Sequence, residues 1–331
     1  MSGSAPRSVL LYDTTLRDGT QREGLSLSVD DKLRIADELD ALGVHYIEGG
    51  WPGSNPKDAE FFERARDLTL RTARIAAFGS TRHQANRCED DANIQALVAA
   101  QTPVVTLVGK TSVLHVERVL ETTREENLRM ISDSVSYLKG LGKEVIFDGE
   151  HFFDGYKLDP EYAVSAIQAA AAAGADCVDE VAEIVTAVAQ QVKAPLGIHT
   201  HNDGGVAVAN AMAAVRAGAV QVQGTINGFV ERGGNMDLVP LIANLQLKLG
   251  YEVVQPHQLA RLTEISHLVA DVANLNADAH APYVGRSAFA HKGGIHVAAV
   301  HKFSNSYEHI APALVGNEQR VVVSELAGRK N

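Results

Sequence analysis

Short runs rich in β-branched and aromatic residues alternate along the chain with longer segments whose apolar residues recur every three or four positions. Residues 8–15 (SVLLYDTT) predict a strand, and 30–42 (DDKLRIADELDAL) predict an amphipathic helix stopped by Gly43. Further strands are predicted at 45–50, 74–79, 103–108, 144–148, 195–200 and 220–226. Further helices are predicted at 56–68, 92–100, 124–141, 160–173, 179–192, 204–217 and 237–249. A strand–helix beat kept over roughly 250 residues predicts a (β/α)8 TIM barrel, with a doubly wound sheet as the alternative.

One stroke of that beat is short. Between the alanine-rich helix that ends near Gly174 and the helix predicted from Asp179 stand only Ala175, Asp176, Cys177 and Val178. Four residues are too few for an ordinary strand and the loop after it, so the sixth strand is expected to be shortened or missing. After about residue 275 the rhythm stops. The expected organisation is a barrel over 1–275 and a small C-terminal subdomain or linker over 276–331. The latter is too short to bury a core of its own and is expected to lean on a barrel, its partner's in preference to its own.

Composition narrows the class. The chain has 331 residues, 45% of them hydrophobic, enough for one large α/β barrel and an appendage. Thirty Lys and Arg against 41 Asp and Glu give a net charge of -11, which provides no basic surface for nucleic acid or an anionic membrane. Two widely spaced cysteines, Cys88 and Cys177, point to a reducing compartment. With no apolar run long enough to span a bilayer and no secretory-type N-terminus, a cytoplasmic location is expected.

Function on a TIM barrel sits where the strands end at their C-terminal sides, and the candidate residues fall there. His199 and His201 are two apart on an extended segment, so both imidazoles face one side and can share an ion. A lone buried histidine is more often a satisfied core residue. Asp18, in the run Asp13-Thr14-Thr15-Leu16-Arg17-Asp18-Gly19 at the end of the first strand, strengthens the metal reading. With an amide oxygen from Asn235 these make a mixed N/O shell suited to Zn, Mn, Fe or Co more than Ca. Arg17 is a fixed positive charge beside that ion, placed to stabilise an enolate or alkoxide; for an arbitrary arginine a surface ion pair is the commoner role. Glu48 ends the second strand. Asp148 and Glu150 end the fifth, where one carboxylate could orient substrate, relay a proton or brace a metal ligand. The glycine-rich turns 224–228 and 232–235 lack nucleotide-binding spacing and imply close backbone approach instead. His291, Lys292 and His296 lie in an aperiodic loop, where most histidines are simply solvated.

As a set, the segments DTTLRDGTQREG (13–24), IEGGWPGSNPKD (47–58), FDGEHFFDGYK (147–157), HTHND (199–203), QGTINGFVERGGN (223–235), AHKGGIH (290–296), YEHI (307–310) and VSELAGRK (323–330) resemble the citramalate synthases, within the wider group of isopropylmalate and homocitrate synthases. That resemblance implies an acyltransferase joining acetyl-CoA to a 2-keto acid, pyruvate, in a step of isoleucine biosynthesis. It implies a divalent metal (Mn, Mg or Zn) held by Asp18, His199, His201 and Asn235. Arg17 and Glu150 would bind substrate, Arg17 stabilising the oxyanion and Glu150 assisting proton traffic. His296, across a homodimer interface, would help to deprotonate the acetyl methyl group, with Tyr307 beside it. Relatives carry a block of the type VVLCDTNGGTLP whose Thr holds the keto acid's carboxylate, and this chain lacks it. They also continue into a C-terminal regulatory domain, expected to be absent here, and some carry an acidic residue where Ala298 stands. Alternatives are the same chemistry on 2-ketoisovalerate or 2-ketoglutarate, a hydroxymethylglutaryl-CoA-type lyase, and a non-catalytic barrel lacking strand six.

Overall fold

The computed structural model describes residues 8–175, 177–179, 185, 187–188, 190–291 and 308–321. Eight parallel strands close a barrel in sequence order: β1 (Leu10–Asp13), β2 (Tyr46–Gly50), β3 (Arg74–Ser80), β4 (Val104–Lys110), β5 (Glu144–Glu150), β6 (Cys177–Asp179), β7 (Leu196–His199) and β8 (Gln221–Gly224), with β8 returning to β1. The TIM barrel read from the periodicity is therefore the fold, and the doubly wound alternative falls, because an open sheet would leave β1 and β8 unpaired.

Local chemistry starts the outer helices where the apolar rhythm places them. Ser28 caps α1 (Val29–Leu42) by a reciprocal box with Asp31, and Gly43 closes it at φ 92, a conformation that side chains resist. Asn55 and Asp159 cap α2 (Pro56–Ala65) and α7 (Pro160–Ala172), each with proline at the first helical position. The remaining described helices are α3 (Ala92–Ala99), α4 (Val113–Arg118), α5 (Arg124–Gly140), α6 (Phe152–Leu158), α8 (Ala207–Ala217), α9 (Leu238–Ala243, running into a π turn to Lys248), α10 (Pro256–Leu259) and α11 (Leu262–Val272). Their apolar faces and the outward strand residues form one continuous core. Inside the barrel a separate layer of Tyr12, Tyr46, Ala76, Val104 and Ile146 fills the lower end.

Several expectations shift. β4 and β5 each run two residues beyond the predicted ends, to Lys110 and Glu150. The short helices α4 and α6 fill the loops after those strands, and α11 occupies a stretch for which no helix was predicted. The sixth strand is a three-residue stub, as its shortness implied, but Asp179 belongs to it rather than to the following helix. Of that helix, 185 and 187–188 are described as helical.

The described parts of the tail lie on the chain's own barrel, contrary to the preference for a partner's. Thr263 Oγ1 donates to Val315 O at 2.7 Å, Tyr283 donates to Asn244 Oδ1 at 2.8 Å, and Val315 is fully buried. β9 (Ala290–His291) pairs in parallel with β10 (Arg320–Val321). Among the described residues no helix is long and apolar enough to cross a membrane.

Candidate metal and substrate site

The turn after β1 is built by its own sequence. Asp13 accepts from Thr15 N at 2.9 Å and Thr15 Oγ1 at 2.8 Å, and Thr15 Oγ1 in turn accepts from Ile226 N at 2.9 Å. The β1 loop is thereby pinned to the β8 loop, with Asp18 facing the barrel axis and only 4% exposed. On the far side of β8, two strands from β1, His199 ends β7, and His201 forms an antiparallel bridge with Asn235. The close backbone approach inferred from the glycines is there: a Cβ on Gly233 would lie 2.8 Å from Asp203 Cα.

One ligand atom each from Asp18, His199 and His201 lie within 4.8 Å of one another. His199 Nε2 stands 3.6 Å from Asp18 Oδ2. His199 Nδ1 faces Gln223 Oε1 at 3.2 Å, an amide oxygen that can only accept, so this contact takes up Nδ1–H and leaves Nε2 as the ring nitrogen that faces Asp18. This donor set, one carboxylate and two imidazoles converging on one point, fits a divalent ion of the Zn or Mn type. Asn235 is beside them, 1% exposed, but presents its Nδ2 to Asp18 Oδ2 at 2.8 Å while Oδ1 accepts from Met236 N at 2.8 Å. The amide oxygen expected as a ligand is turned away; an NH2 is what a carboxylate draws toward itself when no cation competes.

Arg17 is held on three sides. Its Nε donates to Glu48 Oε1 at 2.6 Å, its Nη1 to Asp18 Oδ1 at 2.9 Å, and the guanidinium carbon lies 3.8 Å over the Phe78 ring. Burial pulls its pKa down, but Glu48 and Asp18 more than offset that and hold it above the usual arginine value. Asp18 is the mirror case: burial opposes ionisation, yet Arg17 and the two histidines keep its carboxyl below the ordinary range. Asp148, near the same wall, is pushed up to about 6, chiefly by burial against the opposing pull of His199 and Arg17.

Glu150 is half-buried and ion-paired to Lys110, its register partner on β4, with His151 Nε2 at 3.8 Å. These side chains share a cavity of about 1390 Å³ that also reaches Trp51, Phe78 and Arg232. That exceeds the usual few hundred to about 1,000 Å³ of a small-ligand pocket, leaving room for more than one small molecule. The structure thus brings Arg17, Asp18, Glu150, His199, His201 and Asn235 to one mouth. His296 and Tyr307, and with them Ala298 and Lys292, lie outside the described residues.

Four supporting residues escaped the sequence reading. Lys110 lies beyond the predicted end of β4, in its last two residues. Phe78 and Trp51, in edge-to-face contact at 5.4 Å, looked like ordinary strand and turn residues. Gln223 was hidden in a motif whose alternation, inward at 221 and 223, could have exposed it.

Fold and site together define a closed α/β barrel carrying a candidate cation centre at the C-terminal ends of its strands. The chain belongs to the HMGL-like family, whose profile matches residues 8–269, and residues 283–331 match the profile described as homocitrate synthase post-HMGL domain-like. The (R)-citramalate synthase of Aquifex aeolicus is 52% identical over 98% of this chain and 63% of its own length. A homocitrate synthase of Methanopyrus kandleri is 36% identical over 98% of this chain and 81% of its own. Among solved structures, hydroxymethylglutaryl-CoA lyase from Pseudomonas aeruginosa shares the fold at a TM-score of 0.68 and 19% identity, covering 90% of this chain and 99% of that one. The chain therefore spans under two thirds of the length of the citramalate synthase it matches.

Proposed function

We propose that this chain catalyses a Claisen-type condensation: the methyl carbon of acetyl-CoA adds to the ketone of pyruvate, and hydrolysis of the thioester releases (R)-citramalate and CoA. The observation that carries this reading is the convergence of Asp18, His199 and His201 with a half-buried, carboxylate-braced Arg17 at one end of a cavity large enough for both substrates. Asp18, His199 and His201, joined by Asn235 once its amide turns over, would hold a divalent ion. When bound, that ion supplies Lewis acidity that draws electron density from the keto group.

The chain's own residues do the rest. Arg17 offers Nη2, which has no protein partner among the described residues, to the oxygen on which charge develops. Lys110 neutralises Glu150 and fixes its direction, leaving the carboxylate to orient substrate and to pass a proton. Deprotonation of the acetyl methyl group is assigned to His296, with Tyr307 as the weaker candidate, in a homodimer.

Pyruvate is preferred over a larger keto acid because the identity to a citramalate synthase, 52%, is well above the 36% to a homocitrate synthase. A three-residue β6 and the lack of the family's threonine block favour, as a second reading, a barrel that binds the metal without turning over. CoA release assayed with acetyl-CoA, a divalent metal and a panel of keto acids separates these. Release that needs pyruvate and metal together is the expected result. Release with 2-ketoisovalerate or 2-ketoglutarate instead would reassign the substrate, and metal binding without release on any keto acid would favour the second reading.

A further inference from the structure

Beneath Arg17 lies a buried column of oxygen atoms. Tyr12 Oη is 2.6 Å from Glu48 Oε2 and 2.6 Å from Thr106 Oγ1. A phenol has one proton, and here it is donated to Glu48; the short contact with Thr106 is then satisfied only if Thr106 donates to the phenol oxygen. The other Glu48 oxygen accepts from Arg17 Nε at 2.6 Å. The hydrogen bonds thus converge on Glu48, from Thr106 through Tyr12 on one side and from Arg17 on the other.

Tyr12, Thr106 and Glu48 are each at most 1% exposed, so solvent does not reach them. The Tyr12 ring is clamped as well, stacked on Tyr46 at 5.7 Å and 23°, while Tyr46 donates to Glu144 Oε1 at 2.7 Å toward the other end of the barrel. A rigid ring, a single proton and a carboxylate with two committed oxygens fix the direction of the guanidinium.

We propose that Tyr12 is a positioning residue for the condensation, its hydroxyl setting Glu48 and Glu48 aiming Arg17 at the keto-acid oxygen. This rests on the condensation proposed above. A supporting layer of this kind is typically worth about 10–100-fold in activity.

Tyr12→Phe keeps the ring and its stack and deletes the hydroxyl. The expected result is a kcat lower by about 10–100-fold, with KM for acetyl-CoA unchanged. The same change made in an Arg17→Lys background should cost almost nothing further, because the two act through one group. An equal loss in both backgrounds, or no loss in either, overturns the proposal. Should Tyr12→Phe fail to fold, Thr106→Val removes the other end of the chain of hydrogen bonds and is expected to shift kcat in the same direction by a smaller factor; an unchanged kcat overturns it equally. A readout independent of turnover is proton exchange at Arg17 Nε, followed by nitrogen-15 NMR of the metal-free protein. Exchange should quicken in Tyr12→Phe, and an unchanged rate overturns the positioning role. If the unaltered chain turns over no keto acid, the condensation fails while this exchange measurement still decides the role of Tyr12.

Discussion

His199 Nδ1 and Gln223 Oε1 face each other at 3.2 Å across the β7–β8 seam, and that contact determines which ring nitrogen of His199 is free. Gln223 is itself fixed, its Nε2 donating to Gln221 Oε1 at 3.2 Å. Gln223→Leu removes the acceptor, lets the imidazole rotate and change tautomer, and is expected to weaken Mn²⁺ or Zn²⁺ binding by about 10–100-fold in calorimetry. Undiminished affinity would mean that the His199 orientation is set elsewhere.

Arg17→Lys keeps a positive charge but loses the planar fork that serves Glu48, Asp18 and the cavity at once. The expected effect is a fall in kcat of about 10²–10³-fold, the range for removing one oxyanion-stabilising donor, with cation affinity that does not fall. Steady-state kinetics beside a metal titration measures both. A variant with unimpaired kcat would remove Arg17 from the chemistry.

Much of this site was legible because strand periodicity places its residues. Asp18, His199 and Glu150 each stand at or just past a strand end, and a barrel brings all strand ends together whatever their sequence separation. What escaped depends on register and side-chain direction. Lys110 meets Glu150 only because β4 and β5 pair residue for residue through seven positions, and a pattern of apolar residues does not report where a strand stops once its last residues are polar. Asn235 lies beside Asp18, but the way its amide turns is set by Met236 N and Asp18, neither of which spacing reveals. Where the described parts of the tail rest was illegible for a related reason: Val315 and Tyr283 look unremarkable in sequence, yet both are buried and hydrogen-bond to Thr263 and Asn244 of the chain's own barrel.

Asp13 gives the fold a pH dependence. Burial raises its carboxyl to about 7, against hydrogen bonds from Thr15 that pull it back. A folded pKa above the unfolded value means that the native state holds a proton the unfolded chain releases. Stability is then greatest below the unfolded pKa near 4 and declines as pH rises to about 7, by at most about 4 kcal/mol at roughly 1.4 kcal/mol per pKa unit. Asp13→Asn mimics the protonated acid and should remove most of that slope. Urea unfolding at about pH 5 and pH 8 tests it, and parallel slopes for the two proteins would show that Asp13 ionises freely in the fold.

β6 has the fewest paired residues of the barrel's strands. β4 and β5 share seven paired residues, whereas β6 shares two with β5 and two with β7. Ladder hydrogen bonds open together, so a three-residue strand held by so few partners opens at lower cost than its neighbours. Amides of Cys177–Asp179 are expected to exchange with deuterium well before those of Val104–Lys110, read by mass spectrometry of the corresponding peptides. Equal protection would mean that the stub is supported from outside the sheet.

Lys32 is a buried cation that braces the wall of the site from behind. It is 2% exposed, and its Nζ donates to Asp58 Oδ1 at 2.5 Å and to Gly49 O at 3.0 Å. Asp58 Oδ2 accepts from Trp51 N at 2.8 Å, so the ion pair holds the turn that carries Trp51 into the cavity. Lys32→Met preserves the packing stem but strands a carboxylate that is 7% exposed, and a cost of about 3–5 kcal/mol is expected from breaking one side of a buried pair. Adding Asp58→Asn removes the stranded charge while retaining an acceptor for Trp51 N, and should recover most of the loss in urea unfolding. A double variant as unstable as the single one would place the cost in packing around Phe61, whose ring centroid lies 5.7 Å from the Lys32 nitrogen, rather than in the unpaired charge.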